Sequence, residues 1–160
     1  MYAKAGTRRQ SEANEQVQAR DYKRSVRLLD TAAAAGLERA KSAFGLEGFG
    51  VVAEIDFRDT FVRKLDKDIG PYWVLEICNP MLADRALLLD RTAGLLMPCK
   101  VAVWQDGKDA VVAALRPEVL TAITGNEALR PIAREAERHI ERALVRLEGV
   151  EPQPLAPDLA

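Results

Sequence analysis

A chain of 160 residues suits one domain, and its 48% apolar and 29% charged content is ordinary for a globular protein. The formal net charge of −1 gives no global attraction to nucleic acid or anionic lipid, and the two cysteines are too few for a secreted disulfide framework. No run approaches the ~20 apolar residues of a membrane span, and a chain of this size buries roughly 70% of its unfolded surface, enough for a core without disulfides or metal.

Residues 1–20 are polar, rich in Arg, Gln, Glu and Ala, and nearly lack large apolar side chains, so they are expected to be disordered or loosely helical. They contain no apolar core of signal-peptide length, and a cytoplasmic protein with free thiols is expected. Lys4, Arg8 and Arg9 form a basic cluster that reads as a solvated tail rather than a nucleic-acid arm. Tyr22 to Leu29 alternates as a strand, with Tyr22, Arg24, Val26 and Leu28 on one side. Asp30 or Thr31 is positioned to cap an Ala-rich helix with Leu37, Ala40 and Phe44 along one stripe. Gly36 weakens that helix by about 1 kcal/mol relative to Ala, and Gly45 and Gly48 end it. Phe49 to Ile55 is a strand, after which Asp56 caps a short helix with Phe57, Phe61 and Leu65 at i, i+4 and i+8. Gly70-Pro71 breaks the chain before the third strand, Tyr72 to Cys78.

Met81 to Asp90 is helical, and Gly94 to Pro98 is a connector. Cys99 to Trp104 and Ala110 to Leu115 are strands joined through Asp106-Gly107, a strong hairpin signal. Pro117 suits the first turn of a short helix that ends at Gly125. Asn126 to Leu147 is the longest amphipathic helix, with Leu129, Ile132, Ala136, Ile140, Ala143 and Leu147 on one face. Pro131 is tolerated because it lies in or near the first turn. Residues 150–160 form a Pro-rich tail, which leaves a single domain over 21–149. The order β-α-β-β-β-β-α, with small helices inserted, gives an α+β fold whose largely antiparallel sheet has helices packed on one face.

The segments Gly48-Phe49-Gly50-Val51-Val52-Ala53-Glu54-Ile55-Asp56, Ile77-Cys78-Asn79-Pro80, Leu82-Ala83, Arg85-Ala86-Leu87 and Gly94-Leu95-Leu96-Met97-Pro98-Cys99 occur in that order. Over residues 22 to 148 the chain resembles the domain of unknown function 302 family. The resemblance implies a TATA-binding-protein-like fold: a curved antiparallel sheet in β-α-β4-α order with helices on one side. It implies no mechanism. Many relatives carry His where this chain has Asp84, so any scheme using that His as a base or ligand lacks its residue here.

Strand parity maps the candidate site, because successive side chains point to opposite faces. Val51, Ala53 and Ile55 oppose Val52, Glu54 and Asp56; Trp73, Leu75 and Ile77 oppose Tyr72, Val74, Glu76 and Cys78; Cys99, Val101 and Val103 oppose Lys100, Ala102 and Trp104. With helices over the apolar sets, the open face carries Glu54, Glu76, Cys78, Lys100 and Trp104. The plainer reading is a solvated face with cross-strand Glu–Lys pairs of at most about 1 kcal/mol each. Parity also separates Cys78 from Cys99, so no disulfide is expected.

Cys78 precedes a helix start and Asn79-Pro80, a setting that favours a thiolate. No partner base is evident, since the single histidine, His139, reads as a surface residue near Glu135. Three N or S ligands in all are too few for a structural zinc site without help, so no metal is assigned, and no cofactor is identified. Gly45, Gly48 and Gly50 lead into a strand, the reverse of a dinucleotide fingerprint, and nucleic acid is disfavoured by two Glu for one Lys on the open face. The favoured reading is a small cytoplasmic binding or accessory domain. It is homodimeric, with no membrane contact. It binds a small molecule or partner on the open face or in a sheet–helix pocket, using Glu54, Glu76, Asn79, Arg85, Lys100 and Trp104, with Tyr72 and Trp104 as aromatic anchors. The alternative is a thiol-dependent enzyme or redox sensor with Cys78 reactive and Glu76, Asn79 and Arg85 around it.

Overall fold

Five strands form one antiparallel sheet in the order β1-β5-β4-β3-β2. The computed structural model describes residues 22–150 and 152. The N-terminal tail with its basic cluster, and the C-terminal tail apart from Val150 and Pro152, lie outside the described residues. Strands β1 (Lys23–Leu28), β2 (Gly50–Asp56), β3 (Tyr72–Cys78), β4 (Cys99–Asp106) and β5 (Asp109–Leu115) follow the expected segments closely. The hairpin between β4 and β5 turns on Gly107, as the Asp-Gly pair predicts.

Helix α1 (Ala33–Leu46) buries Leu37, Ala40 and Phe44 against the sheet, the stripe read from sequence. Its cap differs from the expectation. Ala32 holds the N-cap position and no local side chain caps the helix. Instead the Ala33 N–H donates to Oε1 of Gln105 in β4 at 2.7 Å, while Asp30 occupies a left-handed conformation and its N–H donates to Asp109 at 2.9 Å. A helix-end donor needs a partner but not a nearby one. The helix also continues through Gly45, and Gly48, at φ 84°, makes the turn.

Parity in β3 and β4 is as expected. Leu75, Ile77, Val101 and Val103 are fully buried beneath the helices, and Tyr72 faces Trp104 on the other side. In β2 Val51 keeps its expected side, and beyond it the parity is reversed. A β-bulge between Val51 and Ala53 places Val51 opposite Ile77 and Glu54 opposite Leu75. An extra residue in one strand exchanges the faces of all that follow. Glu54 therefore lies on the helix side, where Lys41 of α1 pairs with it at 2.6 Å, and Ala53 and Ile55 join the open face. The expected place of Glu54 on the open face is corrected.

Asp56 caps α2 (Phe57–Leu65) as expected, accepting from the Asp59 N–H at 2.9 Å. Phe57 of this helix meets Tyr72 edge-on at 6.0 Å. Helix α3 (Pro80–Leu89) follows β3, a 3-10 turn spans Arg91–Leu96, and α4 (Glu118–Thr124) follows β5. The long α5 (Arg130–Leu147) begins later than expected, because Asn126 caps a separate 3-10 turn, Glu127–Leu129. Its predicted apolar face is buried throughout. The main core joins α1 and α5 to the sheet, and a second cluster of Leu82, Ala86, Leu129, Ile132 and Ala136 forms where α3 meets α5.

His139 is not simply at the surface near Glu135. Its Nδ1 lies 3.1 Å from Oε2 of Glu47, a buried carboxylate at the end of α1 that also accepts from Arg142 at 3.0 Å and Arg146 at 3.3 Å. Glu135 pairs instead with Arg85 at 2.7 Å. Among the described residues, no helix is long and apolar enough to cross a membrane.

Candidate functional site

The antiparallel register brings the ends of β3 and β5 and the start of β4 to one end of the sheet. A cavity of about 260 Å³ opens there, with Ile77, Cys78, Cys99 and Leu115 as its sheet-side wall. Leu82, Ala83 and Ala86 of α3 face it from one direction, and Ile132, Ala133 and Ala136 of α5 from another. Leu120 and Ile123 of α4 add a further wall. The physical origin of the space is the alanines. Two helices that present Ala at facing positions leave a gap that larger side chains would fill.

Five polar or sulfur-bearing residues line this wall: Cys78, Asn79, Met97, Cys99 and Arg116. Asn79 is committed to the start of α3, where Oδ1 accepts from the N–H groups of Met81 at 3.2 Å and Leu82 at 3.4 Å. A Cβ at Gly48 would stand 3.1 Å from the Asn79 side-chain nitrogen, so the glycine that makes the preceding turn also leaves room for this cap. Arg116 donates from Nε to Glu137 Oε1 at 2.7 Å and from its terminal nitrogen to Glu118 at 2.9 Å. Glu137 is buried, and burial pushes its carboxyl above the ordinary range against the pull of Arg116. Its Oε2 is buried with no hydrogen-bond partner among the described residues.

Both thiols are free and both line the cavity; Cys99 opposes Ile77 on the helix side, and Cys78 ends β3 beside it. Burial raises the Cys78 thiol above its ordinary value. Burial, with Cys78 adding to it, pushes Cys99 up to about 11. Both groups are thiols at neutral pH.

The residues singled out from sequence fall into four places. Cys78 and Asn79 line the cavity. Glu76 and Lys100 pair at 2.9 Å on the open face. Trp104 stacks on Tyr72 at 5.9 Å on that same face, towards the other end of the strands. Arg85 is with Glu135 on the outside, and Glu54 is with Lys41 at an exposed position on the helix side. Sequence reasoning missed Arg116, Glu137 and the alanine walls. The recurrence of Ala at 83, 86, 133 and 136 was visible, but that pattern suits tight helix packing as well as a gap. Among the described residues, no group of three or more His, Cys, Asp or Glu is placed to hold a metal ion.

A family model described as domain of unknown function DUF302 matches residues 26–147. The chain is also similar to the crystal structure of the uncharacterized conserved protein DUF302 from Bacillus stearothermophilus, with a TM-score of 0.73 and 27% sequence identity over 79% of this chain and 98% of that one. No curated protein matches the chain.

Proposed function

The chain belongs to the DUF302 family, whose function is unknown, and from that premise we propose that it is a small binding or accessory domain holding a small molecule in the cavity at the end of the sheet. The observation that carries this reading is a concave, almost wholly apolar space with a few polar groups at its wall, the usual form of a small-molecule site. The domain spans residues 21–149 and works in the cytoplasm.

The cavity supports this reading better than thiol chemistry at Cys78. Glu76 and Arg85, the expected companions of that thiol, are paired with Lys100 and Glu135 away from the cavity. Burial also disfavours the thiolate.

A thermal-shift screen of the full chain against small apolar and polar compounds tests the proposal. At least one compound should raise the melting temperature by mass action. The same compound should give no shift with Ala133→Leu or Ala83→Leu, each of which fills the space. A compound that stabilises the wild type and both variants equally binds elsewhere and refutes the assignment.

A further inference from the structure

The wall chemistry goes further than the existence of a site, and the inference rests on the cavity being where the ligand binds. We propose that the ligand is uncharged and apolar, with about ten non-hydrogen atoms, and that Glu137 determines this specificity by neutralising Arg116. The size follows from volume: a cavity of about 150 Å³ accommodates benzene, and this one is about 260 Å³.

The charge follows from the wall. Among the described residues Arg116 is the one cationic residue lining the cavity, and it is already held by Glu137 and Glu118. Its side chain is 12% exposed and that of Glu137 is 9%. An anionic ligand would compete with a buried carboxylate for Arg116, and any loosening of that pair leaves the carboxylate less compensated in a low-dielectric setting. Glu137 already has one buried oxygen without a partner, so a second anion nearby meets repulsion as well. A cationic ligand meets Arg116 itself. The remaining polar groups offer little: Asn79 Oδ1 is used by the helix cap, its side-chain nitrogen stands against Gly48, and thiols are weak donors and acceptors. Pro98 and Pro117, also at the wall, bring no backbone N–H.

Matched neutral and anionic compounds test this, with the ¹³C-methyl signal of Met97, another wall residue, as the local readout at neutral pH. Toluene and 2-methylnaphthalene are compared with benzoate and 2-naphthoate on the wild-type chain. At least one hydrocarbon should shift the Met97 signal, and its carboxylate counterpart should bind at least tenfold more weakly. Glu137→Gln keeps the shape but removes the neutralising charge, and should move the preference at least tenfold towards the carboxylate. Equal or tighter carboxylate binding to the wild type overturns the ligand class while leaving the cavity as a site. An unchanged preference in a folded Glu137→Gln variant removes Glu137 from the role. Silence from all four compounds removes the cavity reading and this inference with it; the wild-type comparison decides the ligand class even where the variant fails to fold.

Discussion

Single residues in this protein owe their state to partners far away in sequence. Glu47 is the clearest case. Burial alone would raise its pKa, but the bonds from Arg142, His139 and Arg146 outweigh burial and hold the carboxyl below its ordinary value of 4.5. A carboxylate depressed in the folded state contributes stability that is fully present above pH 4.5 and is lost as pH falls through the folded value. Glu47→Gln should therefore destabilise the chain at pH 7 by about 2 kcal/mol, below the 3–5 kcal/mol of a fully buried pair because the cations keep some contact with water. That difference should shrink towards zero in acid. Urea denaturation of both proteins from pH 7 to pH 3 measures it, and a difference that stays constant with pH would show that Glu47 acts by packing alone. Nothing local marked Glu47 in the sequence. His139 was read against Glu135, four residues away on its own helix, whereas its partner is 92 positions distant.

At the level of elements, periodicity located every strand and the main helices, because amphipathic patterns of period two and near 3.6 record which side faces the core. What it could not give was the departures. The β2 bulge adds one residue and turns Glu54 to the helix side of the sheet, yet Val51-Val52-Ala53 carries no composition signal for it. Gly36 likewise reads as a flaw in α1. In the fold, a Cβ at Gly36 would stand 2.9 Å from the Ala110 Cβ, so the missing side chain is what lets α1 lie close to β5. Two effects compete in Gly36→Ala: helix propensity improves by about 1 kcal/mol, and overpacking against the sheet costs about 1–3 kcal/mol. Overpacking should win, because the contact is with a side chain fixed in a central strand. A net loss of about 1 kcal/mol is expected by denaturant titration, and a gain would mean that α1 shifts freely.

At the scale of the whole molecule, the two faces of the sheet have different roles. The helix side holds the core, and the cavity lies where that core meets the cluster between α3 and α5. The open side keeps Val74 and Ala102 only half-buried beside the Tyr72–Trp104 stack. A second copy of the chain is the proposed cover for this face. Light scattering should then give twice the chain mass, and Val74→Arg should give a monomer that still binds in the cavity; a wild-type monomer at high concentration would dispose of the pairing. By itself the sequence determined the α+β order, the hairpin and the helix faces, because each follows from patterns within one or two neighbouring segments. Tertiary structure alone decided the cavity, the Arg116–Glu137 pair at its wall and the side on which Glu54 lies. Each of those depends on a gap, a contact or a register between segments distant in the chain, which a local pattern does not encode.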